Sequence, residues 1–348
     1  MRTKRGKLIL LAIAVVLGVA FIGSRIAEDR RAAQVSEASI PFLEPPIKFV
    51  RVSTNPSAAP VLARSPIPKE AIVPFPSSID PAEWRKSDRA GRFDAVVLLG
   101  PVSEYQALLT HLVSSPDWRL AKLDARGFLF VREPSVPYPV PAPEEVQPQL
   151  PGTRRAEWLA TMAARLSAVG DQENTRRYLE SAGAADPQSA FPDACAGVIA
   201  FQQGRWDEAL RRSREALKRD PKLIPARQTM VASLVALDRA EEAWADAESL
   251  VEDEKDVYTL LLHARTAHAV HAYSREAKSL AAAIHLMQTF GAPVGGLYIL
   301  LGQAYAKQDL VPQTLRAFEN ALAQPELTPD QRRDVGEIRD SIARVTGN

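Results

Sequence analysis

The chain has 348 residues, enough for two domains, with 46% hydrophobic and 24% charged residues, an ordinary globular balance. A net charge of +1 argues against a nucleic-acid or acidic-polymer partner, and the single cysteine, Cys195, excludes an internal disulfide. Of 27 prolines, ten fall in 41–81 and seven in 134–151, so both stretches are expected to be extended linkers.

The chain opens "MRTKRGKLILLAIAVVLGVAFIGSRIAEDRR". Leu8 to Gly23 is uncharged and nearly all apolar, and Ser24 to Ala27 bring it near the ~20 helical residues a bilayer requires. Arg2, Lys4, Arg5 and Lys7 precede the run, so the positive-inside rule puts residues 1–7 in the cytoplasm. We expect a single-pass anchor over 8–27, a linker over 28–43, and the bulk of the chain on the periplasmic side of a bacterial inner membrane. Cleavage as a secretory signal near Ala20 is the alternative; the apolar run continues past it through Phe21 and Ile22.

Residues 44–133 read as a proline-rich segment and a small α/β module. "DAVVLL" (94–99), ended by Gly100-Pro101, has the form of a buried strand. Ser103 stands three residues before Gln106, a capping-box spacing, and Tyr105, Leu108, Leu109 and Leu112 share one face of the helix it would start. "WRLAKLD" alternates, with Trp118, Leu120 and Lys122 on one side, and "GFLFVRE" follows a turn as a last strand. About forty residues make a small core, so the module must recruit a further strand, which "IKFVRV" (47–52) could supply, or pack on a partner.

The segment "YQALLTHLVSSPDWRLAKLDARGFLFVR" is similar to the soluble tail that follows the membrane helices of some polytopic bacterial glycosyltransferases. The likeness covers about forty residues and implies an accessory fold with no catalytic residue carried over. If the module still touched a sugar or lipid-linked donor, a polar, acidic cleft at the ends of strands 94–99 and 118–123 would reveal it. Asp94, Asp117 and Asp124 are its candidates, and turn roles explain them equally well.

After a proline-rich linker over 134–152 comes a repeat over 153–328. In "LGQAYAKQDLVPQTLRAFENAL", Gly302 precedes Tyr305, and Phe318, Ala321 and Leu322 follow at helical spacing. Upstream, Gly197, Gly204, Trp206, Ala209, Ala216 and Pro221 take equivalent places. A step of 34 residues back finds Gly170, Leu179 and Pro187; a step forward finds Asp238, Ala240, Ala243, Ala247 and Leu250; another finds Ala277, Ala281 and Ile284. This pattern resembles the tetratricopeptide repeat (TPR) family. Five units are expected at 156–189, 190–223, 224–257, 258–291 and 295–328, then a solvating cap helix over 329–348 with Val335, Ile338, Ile342 and Val345 on its apolar stripe. Gly197, Gly204, Ala209, Ala243, Gly302, Tyr305, Phe318 and Ala321 are read as the packing residues, small against large, that let paired helices approach. Ala163, Thr175, Arg265 and Thr314 depart from the pattern.

The expected fold is therefore mainly α: a TPR-type α-solenoid of about five helix pairs and a cap, preceded by a small α/β module and one transmembrane helix. The resemblance implies a non-enzymatic scaffold that binds another protein in the groove lined by the first helix of each unit. At the family's fifth and ninth groove positions stand Ala160, Ala164, Ala194, Val198, Gln228, Ala232, Leu262, Thr266, Ile299 and Gln303; Phe191, Phe201 and Val235 add to them. None of the ten is Lys, Arg or Asn, which argues against a chaperone carboxylate clamp and for an apolar segment. Packing core, or cover by the linker 134–151, is the competing account of these side chains.

No cofactor or metal is expected. His263, His268 and His271 share a helix without a carboxylate or cysteine at ligand spacing. Cys195 has no nearby histidine and reads as a small buried hydrophobe. Trp158, Trp206 and Trp244 read as repeat packing, and Arg211, Arg212, Arg214, Lys218 and Arg219 as a solvated face. The function reached is a membrane-anchored scaffold in envelope assembly or export. An accessory glycosyltransferase subunit and a self-assembling structural protein, hence a homo-oligomer, are the alternatives.

Overall fold

A computed structural model of the chain describes residues 52–54, 71–75, 81–99, 102, 105–124, 127–132, 140–289 and 292–346. The anchor expected over 8–27, the linker over 28–43 and Ser103 lie outside these residues. Among those described, no helix is long and apolar enough to cross a membrane. The chain divides into two compact units, Met1–Gly204 and Arg205–Asn348.

In the first unit the elements run β1 (Val52–Thr54), β2 (Ile72–Pro74), α1 (Pro81–Gly91), β3 (Ala95–Leu99), α2 (Gln106–Ser114), β4 (Arg119–Asp124), β5 (Gly127–Val131), α3 (Gly152–Ala168), α4 (Gln172–Ala185) and α5 (Phe191–Gln202). The strands form one mixed sheet in the order β2-β1-β3-β5-β4. β1 lies parallel to β2 and to β3, and β5 runs antiparallel to β3 and to β4. The "AVVLL" run is central and every residue in it is buried. The recruited strand is β1, which shares only Val52 with the expected stretch 47–52, of which residues 47–51 lie outside the described residues. The proline count concealed two further elements, β2 and α1. Pro74 is tolerated because β2 is an edge strand, where a missing N–H costs no ladder bond.

One expectation for the sheet fails locally. Leu120 pairs with Phe130 but Lys122 pairs with Leu129, so the register slips at Ala121. The extra residue reverses the alternation, and Leu123, not Lys122, joins Trp118 and Leu120 in the core.

The small module does not stand alone. Trp84, Val96, Leu98, Tyr105, Leu108, Leu109, Leu112, Phe128 and Phe130 form one cluster with Leu159, Met162 and Leu166 of α3 and Tyr178 of α4. Arg165 of α3 is 6% exposed. Its Nη1 donates to the Tyr105 hydroxyl at 3.2 Å, and its guanidinium lies 5.4 Å from the centre of the Phe128 ring. The core too small for forty residues is thus completed by the first helix pair. Tyr178, rather than Leu179, is the large side chain fully buried on α4, and its hydroxyl donates to Pro141 O at 2.8 Å. Arg155 Nη2 donates to the carbonyls of Pro143 and Glu144, each at 3.2 Å, so the linker from 140 onward is bound along this pair.

The second unit contains α6 (Trp206–Arg219), α7 (Ile224–Ala236), α8 (Ala240–Asp253), α9 (Val257–Ala269), α10 (Tyr273–Thr289), α11 (Gly295–Ala306), α12 (Val311–Leu322) and α13 (Pro329–Thr346). In chain order α3 to α12 follow one another as five two-helix pairs, of which α3/α4 lies in the first unit and α7/α8, α9/α10 and α11/α12 lie in the second, and α13 follows as the cap. The turn inside each pair passes through one residue at positive φ: Gly170 (83°), Gly204 (74°), Asp238 (58°), His271 (61°) and Asp309 (57°). The intervals are 34, 34, 33 and 38 residues.

This marker corrects two readings. Gly204 serves the turn and not helix packing: it is exposed, and an added Cβ would meet nothing within 4 Å. The fourth unit starts one residue earlier than 258. Ala264, 4% exposed, takes the small position assigned to Arg265, while Leu280 and Ala283 are buried and Ala281 is exposed. Gly302 does pack: a Cβ there would lie 2.5 Å from Cε1 of Phe318. Gly197, Ala209, Ala243, Phe318 and Ala321 are buried and Tyr305 half-buried. The apolar stripe expected on the cap is only partly covered. Val335 is buried, but Ile338 is 45% and Val345 84% exposed.

Candidate functional site

Most of the expected groove lies in the interior. Ala160 belongs to the core shared with the sheet. Ala194, Val198 and Phe201 are buried and Phe191 half-buried. On α7, Gln228 is 1% exposed and its Nε2 donates to Thr259 Oγ1 of α9 at 2.7 Å; Ala232 and Val235 are buried as well. Leu262 and Thr266 are buried because of the one-residue shift, and the Thr266 hydroxyl donates to Leu262 O within its own helix at 2.9 Å.

The face of α9 that keeps some exposure is instead half-buried Tyr258, Leu261 and Arg265 with exposed His268, at spacings of 3, 4 and 3 residues, and Leu261 also packs against the core. On α11 it includes half-buried Ile299 and Leu300 and exposed Gln303 and Lys307. Loss of solvent lowers the Arg265 guanidinium from its ordinary pKa, against the opposing pull of Tyr258 and Asp238. Burial also pushes the Tyr258 phenol up. Arg265, not Thr266, stands at the ninth position of the fourth unit, so a basic residue is present at one of the ten positions expected to lack them. Sequence reasoning missed Tyr258, Leu261 and Arg265, although the helix-turn residue His271 carried the signal.

The three histidines expected on one helix do not share it: His263 and His268 are on α9, and His271 is in the turn after it. His263 is 3% exposed; its Nδ1 lies 2.8 Å from Ser279 Oγ and its Nε2 2.9 Å from Glu248 Oε1. Arg275 lies 3.6 Å from the same carboxylate, and the Trp244 ring stands 5.3 Å from the imidazole. A hydroxyl, imidazole and carboxylate in a row is the order of a hydrolytic triad. Here Ser279 is 5% exposed in the middle of α10, so no substrate carbonyl reaches it. The row satisfies polar groups among α8, α9 and α10. His268 Nδ1 lies 3.0 Å from both carboxylate oxygens of Glu276, and that hydrogen bond raises its pKa. His271 Nδ1 lies 2.8 Å from the Tyr273 hydroxyl.

Cys195 donates its Sγ hydrogen to Ala160 O at 3.0 Å, and burial pushes its thiol up to about 12, the reverse of an activated nucleophile. Of the basic residues on α6, Arg211, Arg214, Lys218 and Arg219 are exposed, and Lys218 pairs with Glu215 at 2.7 Å. Asp94 and Asp117 do line one cleft, at the edge of the sheet where β3 and β4 begin, but four arginines line it with them. Asp124 is at the far end of β4, paired with Gly127.

No family model matches the chain, and no curated protein matches it. Among solved structures it is similar to MamA from Desulfovibrio magneticus RS-1, at 17% identity and a TM-score of 0.42, over 48% of this chain and 93% of that one. It is similar to YrrB, a TPR protein with an unusual peptide-binding site, at 18% identity and a TM-score of 0.41, over 47% of this chain and 83% of that one. Yeast Tom70 overlaps 55% of this chain and 40% of its own, at 13% identity and a TM-score of 0.41. The repeat architecture rests on this chain's own helix pairing and turn interval.

Proposed function

We propose that the chain is a membrane-anchored, non-enzymatic scaffold of TPR type that holds a protein partner against the accessible face of α9 and α11. The observation that supports it is Tyr258, Leu261 and Arg265 on α9 with Ile299 and Gln303 on α11: side chains half-buried or exposed on first helices, whereas α7 is buried along its corresponding face. A partner segment with apolar side chains and one carboxylate fits that row, since Arg265 has already lost much of its water. Residues 8–27 would anchor the chain in the inner membrane with the repeats outside the cytoplasm, in the service of envelope assembly or export.

The test is cross-linking in intact cells and co-purification through a C-terminal tag. Arg265→Asp with Ile299→Asp should lose one envelope protein that wild type retains, with melting unchanged. Retention of the same protein by the double variant would sink the proposal. A second reading, assembly with copies of itself, is favoured by exposed Ile338 and Val345 on the cap. Light scattering in detergent decides it: a monomer that stays monomeric at high concentration refutes self-assembly.

A further inference from the structure

The cleft where β3 and β4 begin is built from other elements than the face proposed for a protein partner, and its chemistry is different. It has a volume of about 850 Å³, within the range that takes small molecules. One wall is already committed. Arg132 Nη2 pairs with Asp88 Oδ1 at 2.6 Å, its Nε donates to Phe93 O at 3.0 Å, and its guanidinium lies 4.6 Å from the centre of the Trp118 ring. The other arginines of the lining, Arg85, Arg89 and Arg92, are exposed and follow one another along one face of α1 and just past its end, at spacings of 4 and 3 residues.

Like charges at this spacing repel. The helix dipole favours a cation in the last turn, which accounts for Arg89; Arg85 Nε donates to Pro81 O of its own helix at 3.3 Å, and Arg92 is left. Arg92 moreover sits at φ 47°, in the left-handed region that favours glycine or asparagine, yet the position carries a guanidinium into the cleft. The same lining holds the carboxylates of Asp94 and Asp117 and the imidazole of His111, whose pKa is lowered by burial and by Arg85.

We propose that this cleft binds a small phosphorylated polyol, with Arg85, Arg89 and Arg92 on the phosphate and Asp94 and Asp117 accepting hydrogen bonds from hydroxyls. A phosphomonoester brings close to two charges and three acceptor oxygens, enough for several guanidinium groups, whereas a carboxylate would leave cations unmatched. A bare anion is disfavoured because the two carboxylates share its walls; hydroxyl donors turn that repulsion into recognition. The phosphate could belong to a free sugar phosphate or to a lipid headgroup.

The test is calorimetry on the full chain in mild detergent, with glucose 1-phosphate, glucose, inorganic phosphate and dioctanoyl phosphatidylinositol 4-phosphate as probes. Glucose 1-phosphate or the short-chain lipid should bind, glucose should not, and inorganic phosphate should bind more weakly than either. Binding of the lipid but not glucose 1-phosphate assigns the lipid source, and the converse the free sugar. Replacing Arg85, Arg89 and Arg92 by Gln should weaken the binding about tenfold or more with an unchanged melting curve. Asp94→Asn with Asp117→Asn should erase the preference over inorganic phosphate. The proposal is overturned if neither phosphorylated probe binds, if the triple Gln variant binds as wild type does, or if inorganic phosphate binds as tightly as both.

Discussion

The sheet-bearing region and the later helix pairs bury their surfaces by opposite means. The first fills its core with large rings: Trp84, Tyr105, Phe128, Phe130 and Tyr178 are all fully buried. Trp84 alone stands within 6.4 Å of the ring centres of Phe93, His111 and Trp118. The helix pairs bring backbones close through Ala209, Ala216, Ala243, Ala247, Ala321 and Gly302, each buried. An aromatic core is vulnerable to deletion, because removal leaves a large cavity. A small-residue interface is vulnerable to addition, because no neighbour can retreat.

The comparison can be broken by exchanging the insults. Trp84→Ala should cost the sheet-bearing region about 3–5 kcal/mol, since the ring is 1% exposed and its Nε1 donates to Ser53 Oγ at 3.2 Å. Hydrogen exchange should show the loss of protection reaching α3 and α4, which share its core. Protection lost only over residues 81–131 would refute the shared core.

Addition should do the corresponding damage among the pairs. Gly302→Val should cost about 1–3 kcal/mol in a denaturant titration, because its Cβ would collide with Phe318. Gly204→Ala meets open space and should cost only the left-handed conformation, about 1 kcal/mol. An equal loss at both positions would count against tight packing at Gly302.

The one-residue shift in the fourth unit sharpens this further. Ala264→Leu should destabilise by about 1–3 kcal/mol and Arg265→Ala by no more than about 0.5 kcal/mol. The opposite ranking of the two unfolding midpoints would restore a unit beginning at 258.

The smallest effect is one of pH. The hydrogen bond to Glu276 raises the pKa of His268 in the folded state, against partial burial and Lys307. Its contribution is therefore fully present below the unfolded value near ~6.5 and is lost as pH rises through the raised folded value. The side chain is 57% exposed, which limits the contribution to about 0–1 kcal/mol. His268→Gln should flatten that part of the stability profile; an unchanged profile would mean the pair contributes nothing.

The repeat was legible because its signals are local. Gly302, Ala321 and the turn glycines recur at a fixed interval, and each acts on the helix next to it. Where a local signal weakened, so did the register: with His271 in the turn and Arg265 beside Ala264, the pattern slid by one residue and took Leu262 and Thr266 for groove positions. The strands β3, β4 and β5 were legible in the same way, from short apolar runs between turn residues. The slip at Ala121 was not, because a bulge is set by the neighbouring strand.

What the sequence by itself determined is thus the helix pairs and the main strands, both consequences of periodicity. Only the tertiary structure decided that the small module completes its core with α3 and α4, that the expected groove is mostly interior, and that Arg85 and Arg89 of α1 and Arg92 just past its end meet Asp94 and Asp117 in one cleft. Those outcomes depend on which surfaces distant segments cover, and burial between segments far apart in the chain leaves no period to read.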